Sequence, residues 1–295
     1  MRVMQYAVIA PVTGGRTADP EWISALAQHV EACGFESIVA VEHTVVVRDY
    51  TSTYPYAESG KMEPADTCDI PDPLDLLSFL AARTSTLGLA TGVLVLPNHH
   101  PVVLAKRLAT IDALSGGRLR ICAGLGWMRE EIEACGTEFD TRARRSEEQI
   151  QLMRELWAGD AEGVDHSGRF FDVHGALSYP KPAQPRGPGI HIGGHSAAAA
   201  RRAGRVGDGL QPLGVSGDAL RGLVTQMRDE AERCGRDPDE LGLSLGHVAS
   251  RITADKAERL GELGADRIVL ATSESADLAL VQDELSACAE RLGLR

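Results

Sequence analysis

The chain has 295 residues, 43% hydrophobic and 24% charged, a globular composition long enough for one large domain over residues 1–295. Its net charge of −12, with no clustered patch of Lys and Arg, argues against nucleic acid as a partner, and no window approaches the ~18 uninterrupted apolar residues of a membrane span. The start, "MRVMQYAVIAPVTGG", is broken by Gln5 and Pro11 and suits a first strand better than a signal peptide, so a cytoplasmic location is expected. The six cysteines are scattered without a Cys-x-x-Cys pair; they indicate neither a zinc knuckle nor a disulfide framework and are expected to be small buried hydrophobes.

In chain order the sequence alternates strand and helix. "QYAVIAPV" reads as a strand, and "DPEWISALAQHVEACG" as a helix capped by Asp19, opened by Pro20, striped with Ile23, Leu26, Ala27 and Val30, and stopped by Gly34. "ESIVAVEH" is a second strand. "DPLDLLSFLAARTS" repeats the Asp-Pro start at Asp72 and Pro73, and "LGLATGVLVLP" is a third strand. A helix opened by Pro101 and ended at Gly116 leads to a fourth strand, "RLRICAGLG". "SEEQIQLMRELWAG" is helical, "GIHIGG" is a strand, "SAAAARRAGRV" is helical, and the alternation continues through "DGLQPLG", "LGLSLGHV" and "ADRIVLA" to the end. About eight strand–helix units predict a parallel sheet closed into a (β/α)8 barrel, with a doubly wound open sheet as the alternative. Two long insertions break the rhythm: residues 44 to 70 after strand two and residues 159 to 188 before strand five. Both are expected near the working face, where barrel strands end.

Four stretches carry chemistry. In "IHIGGHSAAAARRAGRVGDG" the paired Gly193 and Gly194 end a strand, and His195 and Ser196 open a helix whose free N–H groups suit a phosphate. The alternative is a plain turn with Ser196 as cap; of Arg201 and Arg202, only one could lean toward an anion. "VEHT" places Glu42 and His43 at the end of strand two, where a histidine can exchange a proton near neutral pH or serve structurally. Gly92 inside "TGVLVLP" marks a bulge or a close ligand approach. "GLGWMREE" ends strand four with Gly124, Gly126 and the aromatic wall of Trp127, without the third glycine of a dinucleotide fingerprint. His99, His100, His191 and His195 also lie near strand ends, but "VIAPV" lacks the His-x-His of a barrel metallohydrolase, so no metal is expected.

Taken together, "GFESIVAVEH", "YPY" with "DPLDLLSFLAART", "LGLATGVLVLPNHHPVVLAKRLATIDALSGGRLRICAGLGW", "EEQIQLMRELW", "YPKPAQP" and "IHIGGHSAAAARRAGRVGDG" resemble the luciferase-like flavin and deazaflavin oxidoreductase family. "YPY" followed by Gly60 and the Asp-Pro-Leu start favours the branch that uses coenzyme F-420. The match thins after residue 213. The resemblance implies a (β/α)8 barrel, usually a homodimer, with the coenzyme at the carboxyl face and a small organic substrate over it. His43 would be catalytic; Thr91, Gly92 and Val93 would form a bulge, often with a non-proline cis peptide, behind the ring. Gly124, Gly126 and Trp127 would border the ring, and Gly193, Gly194, His195 and Ser196 would hold the phosphate. Tyr54, Tyr56, His100 and Phe170 are candidates for the substrate pocket. Hydride transfer through the deazaflavin is the implied reaction; an FMN-dependent monooxygenase and a non-catalytic flavin-binding protein are the alternatives.

Overall fold

The computed structural model describes residues 3–63 and 65–294. Strand β1 (Gln5–Ile9) is followed by α1 (Pro20–Ala32) and β2 (Ser37–Ala40). Asp19 caps α1 as its sequence demands, its Oδ1 accepting from the N–H groups of Glu21 and Trp22, and Gly34 turns the chain out of the helix at φ 82°. After the first insertion, α2 (Pro73–Ala81) is capped in the same way by Asp72. The third strand is interrupted: β3 (Gly88–Thr91) stops at a cis Gly92–Val93 peptide, and the two-residue β4 (Leu94–Val95) resumes beside the next strand.

Helix α3 (Pro101–Ser115), strand β5 (Leu119–Gly124), a short α4 (Arg129–Ala134) and α5 (Arg142–Ala158) come next. The second insertion folds as an antiparallel hairpin of β6 (Val164–Ser167) and β7 (Asp172–Ala176). The chain closes with β8 (Gly189–Gly193), α6 (Ala197–Val206), β9 (Gly209–Gln211), α7 (Gly217–Arg233), β10 (Gly242–Val248), α8 (Ala254–Glu262), β11 (Arg267–Ala271) and α9 (Leu278–Leu292). Strands β1, β2, β3, β5, β8, β9, β10 and β11 pair in parallel in that order, and β11 returns to β1 through Gln5 opposite Arg267. The expected (β/α)8 barrel is therefore closed.

The strands are short because only the barrel wall needs them, and alternate residues face in and out. Ile38, Leu89, Ile121, Ile190, Leu243 and Ile268 join the apolar layer beneath the helices, whereas Ala7, Val39, Ala90 and Val269 form a separate inner cluster. Small residues fill the narrow interior and leave the mouth above them open. No helix among the described residues is long and apolar enough to cross a membrane.

Two expectations change here. The insertion at residues 159 to 188 does not reach the mouth. It follows α5, and a helix that runs back down the barrel delivers its connection to the amino ends of the strands. The hairpin instead lies along α5: Glu148 accepts from the N–H groups of Arg169, Phe170 and Phe171, and His166 Nδ1 meets Glu155 at 2.7 Å. Cysteines 33, 122 and 288 are buried, but Cys234, at the end of α7, is exposed; all six are free thiols.

Candidate active site

The strands' carboxyl ends surround a cleft of two connected lobes that share Tyr56, Val93, Gly126, Trp127, Gly193 and Gly194. The first lobe, ≈250 Å³, sits over the barrel axis, with Ile9, Val41, Gly246 and Val269 from the strands and Tyr54, Met62 and Ile70 from the first insertion as its roof. The second, ≈580 Å³, runs outward between the start of α6 and the start of α5, past Phe139, Arg142, Ser196, Ala198 and Arg202.

In the first lobe the imidazole of His43 lines the wall. Its Nδ1 lies 3.0 Å from Glu131 Oε2, and Glu131 Oε1 accepts from the N–H of Thr44 at 2.6 Å. The Glu131 side chain is only 2% exposed, so this carboxylate fixes both the ring and the backbone that follows it. With Nδ1 engaged, Nε2 is the nitrogen left for a ligand. A second pair stands beside it with the roles inverted: Glu42 lines the lobe, and His99 lies behind it, Nε2 to Oε1 2.6 Å, while Glu42 Oε2 also accepts from the N–H of Val95. Gln211, on the lobe's wall at the end of β9, has a buried Oε1 without a hydrogen-bond donor among the described residues.

Aromatic rings tie the two lobes together. Trp127 makes edge contacts with His43 at 5.9 Å, Tyr50 at 5.3 Å and Tyr54 at 5.2 Å; Tyr54 continues to Tyr56 at 5.4 Å, and Tyr56 to His195 at 5.3 Å. Burial, reinforced by Glu63 for Tyr54 and by Tyr54 for Tyr56, pushes both phenols above their ordinary value. They are neutral hydroxyls at physiological pH. The insertion that carries them is fastened to α4 by Glu130, which accepts from the N–H and hydroxyl groups of Thr51 and Ser52. Those bonds, the Ser52 hydroxyl first, hold its carboxyl down at about 2.

The second lobe is cationic. Ser196 caps α6 by accepting from the N–H of Ala199, and the N–H groups of Ala197 and Ala198 have no partner among the described residues. Arg202 lies in the lobe, paired with Glu147 at 3.1 Å, whereas Arg201 turns to Gln226. Arg142, the first residue of α5, stacks on the Phe139 ring at 3.5 Å and donates to the Phe139 carbonyl. Among the described residues it has no carboxylate within ion-pair distance, and its Nε is buried without a partner. Burial, opposed by Asp140 but reinforced by Arg129 and Arg202, lowers its pKa. An anion placed here relieves both the burial and the mutual repulsion of the guanidinium groups.

The structure thus brings His43, Gly92, Val93, Gly124, Gly126, Trp127, Gly193, Gly194, His195 and Ser196 to one cleft. Thr91 is the exception: fully buried, its hydroxyl bonds the carbonyl and N–H of Cys122, stitching β3 to β5 behind the wall. His100 and Phe170 also miss the cleft. The His100 ring packs against Phe171, and Phe170 against Arg145 and Arg169, on the hairpin side of the barrel. Three of the glycines that line the cleft also answer a packing demand. A Cβ on Gly124 or Gly193 would meet the Val93 side chain at 2.5 and 2.6 Å, and one on Gly92 would meet Val39 at 2.5 Å; the N–H of Gly194 is already given to Gln211. Glu131, Gln211 and Arg142 were not singled out by sequence. Only the position of Glu131 four residues after Trp127, on the helix facing the "VEHT" segment, offered a signal for any of them.

The sequence profile of the luciferase-like monooxygenase family matches residues 4–285. An uncharacterised Mycobacterium tuberculosis protein is 31% identical over 248 residues, 83% of each chain. A Nakamurella multipartita protein named F420-dependent glucose-6-phosphate dehydrogenase is 31% identical over 229 residues, 75% of this chain and 61% of that one. The solved structure of an F420-dependent secondary alcohol dehydrogenase, in complex with an F420-acetone adduct, shares the fold with a TM-score of 0.79, 17% identity and 99% coverage of both chains.

Proposed function

From a chain that belongs to the luciferase-like monooxygenase family, we propose an oxidoreductase that transfers a hydride between coenzyme F-420 and a small organic substrate, with His43 as the proton-handling residue. The observation that carries the reading is the sorting of charge in one cleft: an aromatic, cation-free lobe at the barrel axis continuous with a cationic lobe at a helix N-terminus. A flat tricycle with an anionic tail matches both lobes at once. The orphaned atoms fit such a group: Gln211 Oε1 is an acceptor for an imide N–H, and Arg142 with the N–H groups of Ala197 and Ala198 are donors for a phosphate. Relatives bearing F420-dependent names add support for the deazaflavin over FMN.

When bound, the coenzyme supplies or accepts the hydride. The chain does the rest. Trp127, Tyr54 and Tyr56 cover the first lobe and keep water from it. Glu131 holds His43 Nδ1, so that Nε2 gives a proton to a developing alkoxide or takes one from an alcohol, and the carboxylate steadies the imidazolium during the exchange. Parallel titration of the apoprotein with coenzyme F-420 and with FMN, followed by fluorescence quenching, tests the reading. Tight binding of the deazaflavin is the expected result; tight binding of FMN alone, with oxygen consumed when it is supplied reduced, assigns a monooxygenase instead, and binding of neither refutes both.

A further inference from the structure

The charge sorting reaches the substrate as well, and this step rests on the reading that a hydride-carrying coenzyme occupies the cleft. We propose that the substrate is a small, uncharged, mainly apolar carbonyl or alcohol compound, and that phosphorylated and carboxylated compounds are excluded. The first lobe has apolar walls, among them Ile9, Val12, Met62, Ile70 and Leu213, and no Lys or Arg lines it among the described residues. Its charged groups are the carboxylates of Glu42 and Glu131, both buried, each backed by a histidine ring rather than by a permanent cation. The nearby cations are committed elsewhere: Lys61 Nζ donates to the Tyr50 carbonyl and sits 3.8 Å from that ring's centre, and Arg129 is paired with Glu133 and Asp140. A phosphate or carboxylate entering here would lose its water, find no counter-charge and face two like charges.

A carbonyl or hydroxyl asks far less, because one partner, His43 Nε2, satisfies it. With the coenzyme bound in the cleft, a carbonyl carbon would receive the hydride that the reduced coenzyme supplies while the C=O π bond opens and the oxygen takes a proton from protonated His43 Nε2; in reverse, an alcohol would give up its hydride to the oxidised coenzyme and its proton to neutral His43. The lobe's ≈250 Å³, shared with a ring system, sets the size limit.

Calorimetric titration of the coenzyme-loaded protein with cyclohexanone and with glucose 6-phosphate tests this, alongside initial rates with 2-propanol, cyclohexanol and glucose 6-phosphate read from coenzyme absorbance. The expected preference for cyclohexanone is about a hundredfold or more in Kd, equivalent to ~2.7 kcal/mol. Met62→Arg, which puts a cation on the lobe's wall, should bring glucose 6-phosphate binding up by about tenfold or more. A wild-type protein that binds glucose 6-phosphate as tightly as cyclohexanone, or that binds no uncharged probe, overturns the inference while leaving the coenzyme reading intact. A protein that binds no coenzyme overturns both.

Discussion

The two lobes of the cleft follow opposite electrostatic plans. In the inner one every charge is buried with a partner already in place: Glu131 with His43 and two backbone N–H groups, Glu42 with His99 and Val95. In the outer one the pairing is incomplete, with Arg142 stacked on an aromatic ring, Arg202 sharing Glu147 with Arg205, and the start of α6 uncapped at two N–H groups. Satisfied groups hold a geometry, and unsatisfied ones hold an affinity. A site that must place a proton within hydrogen-bond reach needs the first, and a site that must capture an anion from water needs the second. The difference teaches that orientation and capture are delegated to separate parts of one cavity.

The division can be broken most decisively at its inner end. His43→Ala is expected to lower turnover by roughly 10²–10⁴-fold, the usual worth of a positioned acid–base group, while coenzyme affinity measured by fluorescence titration barely changes; an equal fall in affinity would show that the lobes are not separable. At the outer end, Arg142→Gln should weaken coenzyme binding by about ten- to a hundredfold, the loss of a charge-assisted bond of ~1.5–3 kcal/mol. Its turnover at saturating coenzyme should stay near wild type, and its binding should depend less on salt.

The smallest effect sharpens the comparison at the roof. Glu130→Gln loosens the segment that carries Tyr54 and Tyr56, and a drop in Tm of about 1–3 °C is expected for a half-buried carboxylate at the surface. Because its hydrogen bonds hold Glu130 at about 2, below the ordinary 4.5, the contribution is complete above pH 4.5 and disappears as the pH falls through about 2. Wild type and variant should therefore converge in acid; a gap that persists at low pH would assign the difference to packing instead.

Much of this architecture was legible in local chemistry. Asp19-Pro20 and Asp72-Pro73 start helices because a carboxylate cap and a preset φ act within three residues, and Gly34 and Gly116 end them because the left-handed turn is theirs at little cost. His43, Trp127 and Ser196 could be placed at the cleft because strand ends and helix starts are periodic and a barrel gathers them at one face. What escaped depends on distance. Glu131 meets His43, 88 residues away, and its place four residues after Trp127 was a signal too slight to name that partner. The hairpin at residues 164–176 read as a binding loop because its alternation is short and its partner, Glu148, lies on the preceding helix. Thr91 looked like part of the bulge because the strand's break falls one residue later, at Gly92.

Val93 has a further consequence. Its branched side chain occupies the space that a Cβ on Gly124 or on Gly193 would take, so three strands meet at one residue and two absences. Positions 93, 124 and 193 are consequently coupled in volume: a methyl group added at either glycine has room only once the side chain at position 93 is trimmed, so Gly124→Ala should be better tolerated together with Val93→Ala than alone.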